Sequence, residues 1–401
     1  MRKENIENAV KSNLEWFRKS GVMDPSDGSW GVAERIVQTN NNAALTKTLK
    51  NFPNYIEFKD YAILEHRRPD CNFQTALLFL MAGDYFKNSE FSKTGENILS
   101  FLFNRSGLLN KTNQRYAADT WPIGCWGWTH GSFFNTLFFF DDNAWNLTIQ
   151  LILAEMYPQL EEKYQLVSWS EKLAEQMADA FEDQFFKEPS SEHPWSGELD
   201  SPHWGSLVCM GLSLAYKNFK KPSYLKIIKT YHDYILENAD IFSTSEFAYI
   251  IIGASFSAKF ADKNYAKIAE KFADKLLEES DANGIIPSQW NEAPEGELLV
   301  DLIYTMNWSL MAFQLMASLS GEKKYQDLYQ KQLAIIVEIQ DATSESHLKG
   351  CWRGMYDFEE KQWGGGDCFE GGSGSIYTGW TNAPISLALL GELIDKSLMT
   401  L

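Results

Sequence analysis

The feature that most constrains this chain is a rhythm: helical segments that alternate in character, joined by connections that alternate in length. Apolar residues recur at helical spacing over approximately 4–20, 69–87, 89–104, 142–157, 165–186, 203–218, 222–238, 245–261, 262–280, 301–320, 322–341 and 382–398. Strand signals are nearly absent. Some connections are tight, such as Lys220-Lys221-Pro222, Ala261-Asp262 and Gly321-Glu322. Others, at roughly 21–68, 105–141, 187–202, 281–300 and 342–381, are long and rich in Trp, Gly, Pro and acids. Loops beyond about 12–15 residues are uncommon unless they are functional. Recurring in step with the helices, these predict six helical hairpins whose elaborate loops gather at one end.

The second helix of most hairpins is the more apolar, as in 75–82 and 383–390, whereas partners such as 165–186 and 322–341 carry a charged face. A helix apolar on nearly all sides is buried, and a one-sided helix covers it from outside. The predicted fold is therefore all-α, an inner ring of six helices within an outer ring of six: an (α/α)6 barrel. No clear linker interrupts the chain, so residues 1–401 read as one domain.

Composition narrows the partners. With 44% hydrophobic residues a substantial core is available. Lys plus Arg number 36 against 54 Asp plus Glu, a net charge of −18. Such a chain repels phosphate backbones and anionic lipid surfaces, so neither nucleic acid nor membrane is an expected partner. No apolar run reaches the ~18 residues of a membrane span. Five cysteines (Cys71, Cys125, Cys209, Cys351 and Cys368) are scattered, odd in number and without a CxxC. A disulfide framework is not indicated. The N-terminus lacks an apolar signal region. A cytoplasmic protein is expected, or a secreted or periplasmic one had a leader been trimmed. Nothing in the sequence sets an oligomeric state.

If the inner helices run in parallel, their N-termini surround one mouth. Read in order, the starts are Arg68-Pro69-Asp70-Cys71-Asn72, Asp141-Asp142-Asn143, Pro202-His203-Trp204, Thr244-Ser245-Glu246, Asp301 and Trp380-Thr381-Asn382. Acids and amides are ordinary helix caps. Capping accounts for neither the tryptophans and histidine nor their gathering on one rim. The long loops add Trp121, Trp126, Trp128 and His130, then Trp195, Trp290, Trp352, Arg353, Trp363 and Glu370. A pyranose presents apolar C–H faces that stack on rings and hydroxyls that bond carboxylates and amides, so the cluster points to a carbohydrate. The candidate substrate-binding residues are Arg68, Asp70, Trp126, Trp128, His130, His203, Trp204, Arg353, Trp363, Glu370, Trp380 and Asn382.

The candidate catalysts are Asp141 and Asp142, which follow Phe138-Phe139-Phe140. Charge buried beside aromatic rings is costly unless paired or neutralised, and carboxylates in partly desolvated clefts acquire the pKa values that acid/base chemistry needs. Successive helix residues point about 100° apart, so one carboxylate can face the cleft while the other caps or supports it, or both can flank a bound glycosidic bond. Glycoside hydrolysis needs two carboxyls with different jobs.

The hairpin rhythm together with Phe140-Asp141-Asp142-Asn143-Ala144-Trp145 resembles the six-hairpin glycosidase superfamily, and within it the family 76 α-1,6-mannanases, whose pattern is aromatic-Asp-Asp-x-Ala-Trp. The resemblance implies Asp141 as nucleophile and Asp142 as general acid/base. Unsaturated glucuronyl hydrolases share the fold and place a catalytic Asp at a comparable helix start. The segment from Gly371 to Asn382 has no family 76 counterpart, which leaves the sugar open.

Other readings fall behind. A DDxxD terpene-synthase motif needs an acid where Trp145 stands. Zinc needs three or four converging N/S ligands; Cys125, His130 and Cys351 show no such local spacing, so no metal and no cofactor is expected. The Gly-rich 364–374 stretch lacks a P-loop ending. Sugar 2-epimerases use histidine bases, of which only His130 and His203, with His66 nearby, fall on the rim. A non-catalytic carbohydrate-binding role would keep the tryptophans without needing both aspartates.

Overall fold

The computed structural model describes residues 1–39, 54–111, 122–130, 137–185, 194–288, 298–365 and 372–401. The expected rim residues Trp121, Trp290 and Glu370 lie outside these. Helices cover Lys3–Lys19 (α1), Pro69–Phe86 (α2), Ser89–Asn104 (α3), Phe140–Met156 (α4), Pro158–Tyr164 (α5), Leu166–Phe185 (α6), Pro202–Phe219 (α7), Pro222–Glu237 (α8), Thr244–Phe260 (α9), Ala266–Glu278 (α10), Met306–Ser320 (α11), Lys323–Glu338 (α12) and Ala383–Ile394 (α13). Each of the twelve predicted segments has its helix; the short α5, opened by Pro158 at its first turn, is the addition.

Helices α2, α4, α7, α9, α11 and α13 touch in that order, and α13 returns to α2, closing a ring. Around it α3 packs on α2, α6 on α4, α8 on α7, α10 on α9, α12 on α11 and α1 on α13. The inner helices are buried on nearly every side: every residue from Pro69 to Gly83, and every one from Phe140 to Leu153. An outer helix such as α10 buries only one stripe, Ile268, Ala269, Phe272, Ala273 and Leu276. The all-α expectation thus holds for the barrel, which is a six-hairpin toroid.

Short strands decorate the mouth, a feature that periodicity missed. Arg35–Gln38 (β1), Tyr55–Glu57 (β2), Tyr61–Leu64 (β3) and Ser375–Tyr377 (β9) form an antiparallel sheet ordered β2-β3-β1-β9. Phe138–Phe139 (β4) pairs in parallel with Trp195–Ser196 (β5). Leu299–Asp301 (β6), Met355–Asp357 (β7) and Gln362–Trp363 (β8) make a third sheet. These strands are two to four residues long, too short to show an alternation. β1 finds β9 at the other end of the chain. Asp301, expected at the start of an inner helix, ends β6, and its Oδ1 accepts from the N–H groups of Ile303 (2.6 Å) and Tyr304 (3.1 Å). The helix begins five residues later because this turn intervenes.

Three asparagines near inner-helix starts repeat one device. Asn72 Oδ1 accepts from Val32 N–H (2.7 Å) while its Nδ2 donates to Val32 C=O (3.0 Å). Asn143 does the same to Trp126 (2.9 and 3.1 Å), and Asn382 to Trp352 (2.9 and 3.0 Å). Each side chain acts as a surrogate strand for a loop peptide that would otherwise be buried without partners. Asn382→Ala removes the amide that serves the Trp352 N–H and C=O, the Tyr377 C=O and the Asn13 side chain, and is expected to cost about 2–4 kcal/mol, measured by urea unfolding. An unchanged midpoint would show that the clamp carries no stability.

Candidate active site

Pro69 forces Arg68 into extended backbone (φ −71°, ψ 142°), so α2 starts there and the arginine side chain stands at the mouth. The guanidinium is enclosed by acids. Its Nε and Nη2 each lie 3.2 Å from an oxygen of Asp70, its Nη1 is 3.0 Å from Glu34 Oε1, and Nη2 is 2.5 Å from Asp142 Oδ1. The rings of Trp128 and Trp380 each lie 5.7 Å from its central carbon, within cation–π range.

Asp141 has a different partner. Its Oδ2 is 3.0 Å from Nε2 of His203 on α7, and the imidazole is enclosed by Trp204, Tyr249, Trp380 and Tyr304 at centroid distances of 4.7, 4.9, 5.2 and 5.8 Å. The residue before α4, Phe139, makes no side-chain cap. The hydrogen bonds of both aspartates run to other elements of the mouth, and capping does not describe them.

Together these groups line a cavity of about 280 Å³. Its polar lining is Glu34, Arg35, Arg68, Asp141, Asp142 and His203; its aromatic lining is Trp128, Phe139, Trp204, Tyr304, Tyr377 and Trp380. The start of α9 contributes no lining residue: Ser243 and Glu246 form a capping box there. Trp380 arrives on a π-helical turn, Thr378–Asn382, a form enriched at functional sites. That turn rests against α2 through Gly379, where a Cβ would fall 2.4 Å from Cys71 Cα; any side chain there would push Trp380 off Arg68.

Electrostatics distinguishes the carboxyls. Burial drives the Asp142 carboxyl well above the usual carboxylate range; Arg68 opposes this, and Asp70 and Asp141 reinforce it. Asp70 is likewise raised, burial outweighing Arg68. One guanidinium is shared among three buried carboxyls, those of Glu34, Asp70 and Asp142.

Of the predicted binding residues, the mouth gathers Arg68, Trp128, His203, Trp204 and Trp380 around the two aspartates. The others among the described residues lie elsewhere. Asp70 sits behind Arg68, fully buried. Trp126, 1% exposed, is a core ring packed edge-on to Phe73 and Phe103. His130 packs against Trp30 and Phe101. Arg353 is tied to Asp341 at 2.7 Å, near Trp363 on β8. Asn382 spends its amide on the Trp352 clamp. Burial pushes the thiols of Cys125 and Cys351 well up.

Sequence reasoning overlooked Glu34, Arg35, Phe139, Tyr304 and Tyr377 on this lining. Arg35 and Tyr377 meet because β1 pairs with β9, where they are register partners and their side chains hydrogen-bond. Phe139 was visible as the middle of a three-phenylalanine run; the others carried no local signal.

No protein-family model matches the chain, and no curated protein matches it. Solved structures do. The cellobiose 2-epimerase of Bacillus thermoamylovorans B4167 superposes with a TM-score of 0.62 at 10% identity, covering 97% of this chain and 99% of that one. An unsaturated glucuronyl hydrolase from Streptococcus agalactiae gives 0.60 at 12%, covering 100% and 94%. A D-mannose isomerase gives 0.58 at 13%, covering 98% of each. At these identities the likeness is one of fold.

Replacing Arg68 by Leu removes the cation shared by three buried carboxyls and is expected to destabilise the fold by about 3–5 kcal/mol at pH 7. The pKa values of Asp70 and Asp142, already raised by burial, then rise further above the unfolded ones, so the penalty grows with rising pH and shrinks on acidification. Urea unfolding of wild type and Arg68→Leu at pH 7 and pH 5 checks this; a pH-independent difference contradicts it.

Proposed function

We propose that the chain is a carbohydrate-active enzyme that hydrolyses a glycosidic bond, with Asp142 as general acid/base and Asp141 as nucleophile. The observation that carries this reading is the division of two adjacent carboxyls between two environments inside one aromatic-walled cavity. Paired titratable groups whose surroundings push them apart are the mark of an acid with a base or nucleophile. Tryptophan rings on the lining supply stacking surfaces for a sugar, and the superposed structures are of carbohydrate-processing enzymes. An α-mannan-type substrate is the finer form of the proposal and rests on the Phe140–Trp145 motif.

The chemistry runs as follows. The Asp142 proton passes to the glycosidic oxygen as the bond from C1 to that oxygen breaks, its electron pair leaving with the oxygen. A carboxylate oxygen of Asp141 bonds to C1. Water then attacks C1, its proton returning to Asp142 as the ester bond to Asp141 breaks. The net consumption is one water per bond.

A second reading, sugar epimerisation or isomerisation, is favoured by one observation: His203 and Asp141 form a histidine–carboxylate pair in the cavity, an arrangement suited to moving a proton at carbon beside a carbonyl. A panel of neutral oligosaccharides, unsaturated uronides and free sugars separates the readings. Hydrolysis is expected, falling by about 10²–10⁴ in kcat for Asp142→Asn and Asp141→Asn, with glycan binding retained. A new sugar without bond cleavage would establish the epimerase. Loss of the ultraviolet absorbance of the unsaturated uronides would establish the glucuronyl-hydrolase alternative. Binding without turnover of any panel member would leave a binding protein.

A further inference from the structure

Asp70 does not line the cavity, yet it shares Arg68 with the acid that does. Arg68 grips Asp70 with two nitrogens, Nε to Oδ1 and Nη2 to Oδ2, both at 3.2 Å. The Cys71 backbone N–H also bonds to Asp70, and its thiol lies 3.8 Å from Oδ2. This is the fork-on-fork arrangement of an ionised carboxylate. Asp142 has one contact where Asp70 has two: the guanidinium meets Oδ1 at 2.5 Å, and Oδ2 is buried with no partner among the described residues. Glu34 takes the remaining nitrogen, Nη1, at 3.0 Å. With two nitrogens on Asp70 and one on Glu34, the positive charge is drawn toward those two, and Asp142 is the carboxyl left to hold a proton. In that form Oδ1 accepts from Arg68 as a carbonyl oxygen, while Oδ2 bears the hydrogen.

We propose that Asp70 is a positioning residue that occupies Arg68 from behind the cavity, so that Asp142 meets the substrate as the protonated acid. This rests on the glycosidase reading for its use, but not for its test. The groups facing Asp142 are Arg68, Asp70 and Cys71 at the start of α2, Glu34 and Arg35 beside the sheet, Asp141 on its own helix, and His203 behind Asp141. Two of these bear directly on the competition for the guanidinium: Asp70 by its bidentate grip and Glu34 by its single one. Removing the charge of Asp70 returns Arg68 to Asp142 and lets Asp142 ionise sooner.

The test is infrared spectroscopy of the intact protein across pH, following the C=O stretch of a protonated carboxyl. Wild type is expected to keep such a band at neutral pH, and Asp142→Asn to lack it. In Asp70→Asn the band should vanish about one pH unit or more lower, as expected on losing a neighbouring charge. The alkaline limb of kcat/KM should move by the same amount toward acid, whereas a merely structural role would lower activity without moving the limb. Should Asp70→Asn fail to fold, Glu34→Gln carries the same expected direction. A band that persists in Asp142→Asn, or one that titrates unchanged in both Asp70→Asn and Glu34→Gln, would overturn the assignment. If no glycoside is hydrolysed at all, the infrared result still stands or falls alone.

Discussion

The mouth of this barrel hangs on amide clamps. Loop backbone laid over the inner helices loses water, and each N–H and C=O it buries needs a partner. Asn72, Asn143 and Asn382 meet that need identically, each closing two hydrogen bonds on one loop residue: Val32, Trp126 and Trp352. The first clamp fixes the approach to Glu34 and Arg35, the second the approach to Trp128. The third anchors the π-helical turn that delivers Trp380. The lining of the cavity is thus set by side chains that never touch it.

Within that frame, charge is organised around a single cation. Arg68 stands between two indole rings and among three acids, and it cannot satisfy all of them. Asp70 takes two of its nitrogens and Asp142 and Glu34 one contact each, while Asp141 pairs separately with His203. Adjacent residues of like chemistry acquire unlike properties because one helix turn points them at different neighbours. Aromatic walls sharpen the difference by excluding water, which strengthens every charge interaction inside.

The helices were legible because their signal is local. Apolar spacing along Thr75–Ala82 or Ile385–Leu390 can be read from a short window, and turns such as Lys220-Lys221-Pro222 mark their own ends. Asp141 and Asp142 were legible as a charge anomaly after three phenylalanines, and Arg68, His203, Trp204 and Trp380 through their place at helix starts. Trp126 and Asn382 were misjudged for a shared reason. Residue type shows what a side chain can do, but its direction decides whether it meets ligand, core or backbone. Trp126 turns toward Phe73 and Phe103, and Asn382 toward a peptide. Arg35 and Tyr377 left no trace because their meeting depends on a strand pairing between residues 342 positions apart.

The sequence by itself determined the ring of paired helices, since periodicity and loop length are properties of neighbouring residues. It also determined that acids, a histidine and tryptophans begin the inner helices, since that follows from order along the chain. Only the tertiary structure decided which partner each acid receives. Asp141 found a histidine 62 positions away and Asp142 an arginine 74 positions away. Proton affinity follows from such distances and from burial, and neither exists until the ring has closed.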